Sequence, residues 1–292
     1  MSDLQSNLDP FVYRALHTGS FGDRQFYKAL TKTKLASNKD LKVLELGCGS
    51  GRILLDLVQL GADVTGIDIS AEGLAFCRLG LASIFLEKPT LSNNVRLIHA
   101  DFIEVNQQLF TPEYSEFDLI FITYNGIYCL PTEETQIDLL KRCIELLSSE
   151  GELWLDGYAL PDPQLYEYDS ASDFTPLTVI ELPSTSSRSH RTLGVEELDT
   201  FDLPNQKLTV QYRYKAPADE IEREPLHNQV ETLDHRYIYP WQLPKLSQQA
   251  GGSLINLRTY FGGDPITLDQ NLRDLDWGID FEHWIATLKR GR

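Results

Sequence analysis

A turn of alternating glycines is the first feature of this sequence that could do chemistry. The turn follows a short apolar run and precedes a predicted helix, so bare backbone stands where a ligand must approach closely. A tight turn without a ligand and the dinucleotide fingerprint G-x-G-x-x-G are the alternatives. The last glycine of that fingerprint would fall on Arg52, which makes a dinucleotide the poorer fit. The candidate ligand-binding residues of this segment are Glu45, Gly47, Gly49, Gly51 and Arg52.

Acidic residues end the next two predicted strands. Asp68 could accept hydrogen bonds from two ribose hydroxyls; capping of the following helix is the structural alternative, which Ser70 could also provide. After the third strand, Asp101 and Phe102 offer a carboxylate for an adenine amine beside an aromatic ring. Because acids end three successive strands in register with the glycine turn, we expect a nucleoside cofactor, with Ile69 as a further contact.

Motif by motif, residues 40–158 resemble the class I S-adenosylmethionine-dependent methyltransferases. The segment 123–131 is similar to the Gly-Asn-Ser-x-x-x-Leu stretch of glycine and sugar-amine N-methyltransferases. It departs from that stretch at Tyr124 and Gly126 and matches it at Asn125. The resemblance implies S-adenosylmethionine as the cofactor, S-adenosylhomocysteine as its product, and Tyr124 and Asn125 as further cofactor contacts.

The amino-terminal residues 13–27 are similar to the lid that closes over the cofactor in these enzymes. This similarity makes Tyr13 and Tyr27 candidate cofactor contacts. A plain amphipathic cap helix is the alternative.

Candidate catalytic residues lie where ligands of open α/β sheets bind, outside the carboxyl ends of the strands or on the segment that covers them. Tyr128 and Tyr158 follow the fourth and fifth predicted strands, and His235 and Arg236 end the insertion described below. Packing in the core is the alternative for each tyrosine. His235 could be structural, and Arg236 could pair with an acid of the chain instead of a substrate carboxylate.

The elements that must position these residues appear as periodic apolar patterns. Over residues 42–158 short apolar runs alternate with amphipathic stretches, which indicates a parallel sheet covered by helices. After Pro161 the alternation changes to a period of two, with turn residues at 203–206, which indicates antiparallel strands. The predicted strands are 42–46, 63–67, 95–99, 117–123, 151–155, 176–182, 195–201, 207–214, 229–239, 253–261 and 283–289, with helices at 135–147 and 241–250.

We therefore predict an α/β fold with a Rossmann-like, doubly wound sheet of seven strands. Residues 41–159 and 237–292 form the sheet domain, and residues 160–236 form an antiparallel β insertion after strand five, on the acceptor side. Residues 1–40 form an N-terminal helical lid. The Ser-rich piece 184–189 is the expected mobile loop.

The composition of the 292 residues limits the partners. Lys and Arg number 26 against 43 Asp and Glu, and the formal charge of -17 disfavours a nucleic-acid substrate. The four cysteines show neither C-x-x-C pairing nor matching histidines, so we expect no metal site and no disulfide framework. We find no secretory pattern and no apolar run of membrane-spanning length. We expect a cytoplasmic protein without membrane partners, for which a homodimer is a candidate state.

The favoured function is methyl transfer by in-line displacement to a small soluble molecule, with an amine nitrogen as the favoured acceptor atom. An O-methyltransferase of a small hydroxyl or carboxylate acceptor is one alternative, and a catalytically silent S-adenosylmethionine-binding interaction module is another. The absence of a basic patch argues against a protein or RNA substrate.

Overall fold

A computed structural model of the chain describes residues 10–110, 116–165, 172–183, 190–219, 221 and 224–291. The Ser-rich piece 184–189, predicted as a loop, lies outside these residues. The chain divides into two compact units. The smaller contains Met1–Thr18 and Pro163–Tyr237, and the larger contains Gly19–Asp162 and Ile238–Arg292.

The elements are numbered in chain order. The helices are α1 (Pro10–Leu16), α2 (Asp23–Ser37), α3 (Leu54–Leu60), α4 (Ala71–Glu87), α5 (Glu133–Leu146) and α6 (Leu243–Gln249). The strands are β1 (Lys42–Leu46), β2 (Asp63–Asp68), β3 (Val95–His99), β4 (Phe117–Ile122), β5 (Leu147–Tyr158), β6 (Thr175–Pro183), β7 (His190–Asp202), β8 (Lys207–Lys215), β9 (Val230–Arg236), β10 (Gly252–Arg258) and β11 (His283–Arg290).

The larger unit is built on a seven-stranded sheet in the order β10-β11-β5-β4-β1-β2-β3. Strands β1 to β5 pair in parallel, and β11 is antiparallel to both of its neighbours. The order reverses at β1, because the chain moves outward to β2 and β3 and then returns to β4. Ligands of open α/β sheets bind at such a reversal, outside the carboxyl ends of the strands. The predicted fold class is confirmed.

A buried cluster packs helices α2, α3 and α4 against the sheet. Alternate residues of the central strands point into this cluster, as the two-residue period of a strand requires. Most of the remaining residues of β1 and β4 are also buried, which explains why these strands are mainly apolar. Members of the cluster include Tyr27, Val43, Leu57, Val64, Leu74, Cys77, Leu119, Phe121 and Trp154.

The smaller unit contains a four-stranded antiparallel sheet in the order β6-β7-β8-β9. The predicted hairpin is formed by β7 and β8, and the turn between them ends at Gln206, which has a φ of 53°. Strand β8 alternates buried and half-buried residues, as a strand with one covered face does. Helix α1 lies in this unit and contacts β6.

Residues 1–40, predicted as one helical lid, are therefore divided between the two units. Gly19 and Gly22 both have positive φ, at 96° and 82°, so a single helix cannot continue through them. Helix α1 groups with the antiparallel sheet, whereas α2 packs on the seven-stranded sheet.

Some boundaries differ from the sequence prediction. Strand β5 begins at Leu147, directly after α5, and β9 ends at Arg236 rather than Tyr239. Pro240 has no amide hydrogen to donate to a strand partner, and it opens a short 3-10 turn that precedes α6.

Of the helices that the structure describes, none combines the length and apolar character needed to cross a membrane. Within the same ranges, no three His, Cys, Asp or Glu side chains are grouped so that they could hold a metal ion. The four cysteines are free. Burial raises the pKa of Cys77 to about 12 and that of Cys129 to about 11, so these thiols stay protonated at neutral pH.

Candidate functional site

The glycine turn between β1 and α3 is open on one side. Gly47, Gly49 and Gly51 have φ values of 75°, 50° and 87°, a conformation that favours glycine. A Cβ atom on Gly51 would lie 2.7 Å from Cys77 Sγ, so this glycine is required for packing against α4. A Cβ on Gly47 would come no closer than 3.8 Å to Phe102, and one on Gly49 no closer than 3.9 Å to Asp68. The open side of the turn is thus bordered by two side chains that the sequence predicted for it.

Asp68 joins the end of β2 to the glycine turn. Its Oδ2 accepts a hydrogen bond of 2.6 Å from the Gly49 amide, and its Oδ1 accepts one of 2.8 Å from the Ser70 amide. The cap of α4 is the Ser70 hydroxyl, which accepts from the Gly73 amide at 2.9 Å. Burial raises the pKa of Asp68, and the two amides oppose this shift. Asp68 therefore does not serve as the helix cap.

Glu45 is a buried carboxyl near the carboxyl end of β1. The side chain is 2% exposed, and its Oε2 finds no hydrogen-bond partner in the described part of the chain. Burial raises the pKa of Glu45 to about 8; the nearby Arg52 opposes this shift and Asp68 adds to it. At pH 7 the group is therefore mainly protonated and holds an unused acceptor oxygen.

Arg52 connects the glycine turn to the start of α2. Its Nη1 lies 2.7 Å from Asp23 Oδ2, and its guanidinium carbon lies 5.4 Å from the centre of the Tyr124 ring. The same Asp23 oxygen accepts a hydrogen bond of 3.1 Å from the Ser20 amide. Asp23 was not predicted from the sequence, although it is the single acid between Asp9 and Asp40.

Asp101 and Phe102 follow β3 at the same edge of the sheet. Asp101 Oδ1 accepts a hydrogen bond of 3.0 Å from the Ile103 amide and so caps a short 3-10 turn. The Phe102 ring faces Gly47, as described above. Ile69, after β2, is 36% exposed. Both strands therefore bring their predicted side chains to the edge that carries the glycine turn.

The turn after β4 contains two consecutive residues of left-handed conformation. Tyr124 has a φ of 53° and Asn125 a φ of 61°. Asn125 Oδ1 accepts a hydrogen bond of 2.7 Å from the Tyr158 amide, and the Asn125 amide donates one of 3.3 Å to Asp156 Oδ1. Both the side chain and the backbone amide of Asn125 thus bond the turn to the end of β5.

Asp156 is a site residue that sequence reasoning missed. Its Oδ2 accepts a hydrogen bond of 2.6 Å from the Tyr27 hydroxyl of α2, and the side chain is 1% exposed. Burial raises the pKa of Asp156 to about 7, while Tyr27 and the Asn125 amide oppose this shift. One feature of the sequence could have indicated it: Asp156 is the single acid in the apolar run that forms the second half of β5. A buried acid of this kind needs buried hydrogen-bond partners.

Two predicted site tyrosines are core residues. Tyr27 is fully buried and stacks obliquely on Phe121, with ring centres 5.0 Å apart, so it offers no free surface to a ligand. Tyr128 is fully buried as well. Its hydroxyl donates to the Tyr158 carbonyl at 2.7 Å and accepts from Trp284 Nε1 at 2.8 Å.

The hydroxyl of Tyr128 is thus occupied and the side chain has no exposed surface, so the structure favours core packing over the predicted catalytic role. This hydroxyl also lies 3.3 Å from the Ile238 carbonyl. A Cβ on Gly157 would come within 2.5 Å of it, so Gly157 makes room for this contact. Tyr158 is half-buried, and its ring packs edge-on against Tyr128 at 4.8 Å.

The remaining candidates belong to the smaller unit. Tyr13 lies on α1, is 41% exposed, and has its ring centre 4.4 Å from that of His17. His235 and Arg236 end β9 and are both buried. Burial and the nearby His17 together lower the pKa of His235 to about 4, while Asp234 opposes the shift, so His235 is neutral at pH 7. It is therefore a weak base.

Part of the chain is similar to known proteins. The family described as "Methyltransferase domain" matches residues 43–151. One relative is YqeM of Bacillus subtilis (strain 168), which is named provisionally as a methyltransferase. The two sequences are 30% identical over 118 residues, which are 40% of this chain and 42% of YqeM. The cypemycin N-terminal methyltransferase of Streptomyces sp is 29% identical over 114 residues, 39% of this chain and 40% of that protein. The chain thus matches about two fifths of the length of these relatives.

A solved structure extends the likeness to the whole fold. CalS10, an amino pentose methyltransferase from Micromonospora echinaspora with S-adenosylmethionine bound, superimposes with a TM-score of 0.59 at 15% identity. The match covers 97% of this chain and 99% of CalS10. At this identity the likeness shows the fold alone. Residues 43–151 thus match the methyltransferase domain family, and the chain has the fold of the class I methyltransferases, as the resemblance of its motifs implies.

Proposed function

We propose that this chain transfers a methyl group from S-adenosylmethionine to a small soluble molecule, with an amine nitrogen as the acceptor atom. The observation that carries the proposal is the open side of the glycine turn. The backbone of Gly47 and Gly49 is bare there, and Phe102 and Asp68 border it. No other glycine turn of the described chain is flanked by acids that end neighbouring strands.

The residues present fit this cofactor. Glu45 supplies a buried carboxyl oxygen without a partner, which suits an ammonium group, because a buried acceptor left unpaired is unfavourable. Arg52 suits the cofactor carboxylate, and Asp68 keeps acceptor capacity for ribose hydroxyls beyond its two amides. Asp101 and Phe102 are proposed to bind the adenine.

When bound, S-adenosylmethionine supplies a methyl group on a positively charged sulfur, which is already an activated leaving group. The task of the chain is therefore to align the acceptor and exclude water. Alignment of this kind is worth roughly 7–11 kcal/mol of the barrier at most. An amine that arrives unprotonated needs no base, which agrees with the neutral, weakly basic His235. Tyr158, His235 and Arg236 stay our proposed acceptor contacts, and Tyr13 a proposed cofactor contact.

Two observations support an amine rather than a hydroxyl acceptor. Asn125 occupies the position matched in the segment that resembles glycine and sugar-amine N-methyltransferases. The cypemycin enzyme and CalS10 act, by their names, on an N-terminus and on an amino sugar. We further propose a reducing compartment, the cytoplasm, since the four cysteines are free.

Calorimetric titration with S-adenosylmethionine and S-adenosylhomocysteine tests the proposal first. We expect both to bind one site per chain. The second step measures turnover with a panel of small amines, phenols and carboxylates. Transfer of an isotope-labelled methyl group from the cofactor to each compound is the readout. Labelled product from amines alone is expected. Labelled phenols or carboxylates would replace the amine proposal by O-methylation, and binding without any turnover would identify an interaction module.

A further inference from the structure

We propose that Asp156 is a positioning residue that holds the turn after β4 in the conformation the cofactor site requires. This inference rests on the proposed function. The Asp156 side chain is buried and does not contact the glycine turn. It acts on the site through its hydrogen bonds to Asn125 and Tyr27.

The two oxygens of Asp156 hold two different elements. Oδ1 accepts from the Asn125 amide at 3.3 Å, and Oδ2 accepts from the Tyr27 hydroxyl at 2.6 Å. Tyr27 belongs to α2, and Asn125 belongs to the turn after β4. Asp156 therefore links both of these elements to β5, which is itself fixed between β4 and β11.

The turn needs such a link because its backbone is unfavourable. Tyr124 and Asn125 are both in the left-handed region, which residues other than glycine populate sparsely. Conformations of this kind persist only where the surroundings over-determine them. Asp156 accepts the hydrogen bond that the Asn125 amide donates, while the Tyr158 amide donates to the Asn125 side chain and the Tyr128 amide to the Asn125 carbonyl.

Both links from Asp156 converge on Arg52. Through Asn125, Asp156 places Tyr124, whose ring centre lies 5.4 Å from the Arg52 guanidinium carbon. Through Tyr27, it holds α2, whose first residue Asp23 pairs with Arg52 Nη1 at 2.7 Å. Since Arg52 ends the glycine turn, the position of Asp156 determines how Arg52 is presented to the cofactor.

Direct participation of Asp156 in the reaction is excluded by its burial and by the occupation of both oxygens. Burial raises its pKa to about 7, and Tyr27, the Asn125 amide and Arg52 oppose this shift while Asp23 adds to it. The carboxyl is thus not held strictly as an anion. Acceptor geometry rather than charge carries its role, so an asparagine in its place should preserve much of that role.

The test compares Asp156→Ala, Asp156→Asn and Tyr27→Phe, with Asp162→Asn as the control. Asp162 is another buried carboxylate of the same unit, and it pairs with Arg273. For Asp156→Ala we expect the Kd and KM for S-adenosylmethionine to rise about ten-fold, the loss that follows removal of a buried hydrogen bond. The acceptor KM should change by less than about two-fold.

For Asp156→Asn we expect a cofactor Kd within about three-fold of the unaltered protein, and for Tyr27→Phe a Kd raised about three- to ten-fold, since one hydrogen bond is lost. Asp162→Asn should lower the unfolding temperature without changing the Kd. A merely structural Asp156 would behave like this control, and that result would overturn the inference. If Asp156→Ala does not fold, Tyr27→Phe decides, because it removes one bond only. An unchanged Kd for Tyr27→Phe is then the overturning result. Absence of S-adenosylmethionine binding by the unaltered protein would instead overturn the proposed function, and this inference with it.

Discussion

The Gly49 amide donates a hydrogen bond of 2.6 Å to Asp68 Oδ2, and this bond joins the glycine turn to the end of β2. The same carboxylate is the proposed ribose acceptor, so one side chain shapes the turn and binds its ligand. Both tasks depend on acceptor oxygens at fixed positions.

Replacing Asp68 should therefore weaken cofactor binding more than it weakens the fold. For Asp68→Ala we expect the Kd for S-adenosylmethionine to rise at least about ten-fold, since acceptors of several hydrogen bonds are lost. Asp63→Ala at the other end of β2 is the matched control, and it removes an ion pair with Arg96 without touching the turn. Titration calorimetry measures both. Equal affinities in the two variants would show that the cofactor has been placed at the wrong end of β2.

The bare backbone of Gly49 allows a second comparison. Gly61 also has positive φ, at 95°, ends α3, and has no atom within 4 Å of an added Cβ. Gly49→Ala and Gly61→Ala should each lose about 1–2 kcal/mol of stability through the left-handed backbone. We expect only Gly49→Ala to lose affinity for S-adenosylmethionine, because only there would the methyl group enter the ligand side. Urea unfolding and calorimetry separate the two effects, and a loss of affinity in Gly61→Ala would point to strain alone.

Glu45 should make cofactor binding release protons. Its pKa is raised to about 8 in the free protein, so at pH 7 most molecules carry this proton. A bound ammonium beside Glu45 favours the ionised form and lowers that pKa, so the proton leaves on binding. Titrations at pH 7 in buffers of different ionisation enthalpy should report release of up to about 0.9 proton per site.

In Glu45→Gln this release should disappear and the Kd should rise. Above about pH 9 Glu45 is already ionised in the unaltered protein, so cofactor binding should release no proton from it there either. Proton release that persists in Glu45→Gln would assign the proton to another group, with Asp156 as the first to examine.

Tyr128 should matter for stability and not for turnover. Tyr128→Phe leaves the Trp284 indole and the Tyr158 carbonyl without their buried partner, which costs about 1–3 kcal/mol of unfolding free energy. The values of kcat and acceptor KM should stay within about two-fold of the unaltered enzyme. Urea unfolding and steady-state kinetics provide the measurements. A large fall in kcat at unchanged stability would restore the catalytic role that the burial of Tyr128 argues against.

The fold could be predicted because its signals are local. Apolar runs separated by amphipathic stretches mark β1 to β5, and alternation marks β7 and β8. The acids at the strand ends followed from the same pattern, since parallel strands bring their carboxyl ends to one edge.

What could not be predicted depends on contacts between distant segments. Tyr128 and Tyr158 look alike in sequence, and the hydroxyl of the first is occupied by Trp284 and by the Ile238 carbonyl, which lie far along the chain. Asp156 gains its meaning from Tyr27, which precedes it by more than a hundred residues. The grouping of α1 with the antiparallel sheet likewise rests on long-range contacts that no periodicity encodes.

The hydroxyl of Tyr128 lies against the carbonyls of both Tyr158 and Ile238, the places where the chain nears its departure from the larger unit and where it re-enters. One buried side chain thus fastens the exit and the return of the intervening segment at a common point. A segment with such closely spaced ends can be replaced by a foreign sequence while the anchor and the cofactor edge stay in place. Under the proposed function, recombination between relatives at these two positions would keep the cofactor site and exchange the segment proposed to face the acceptor.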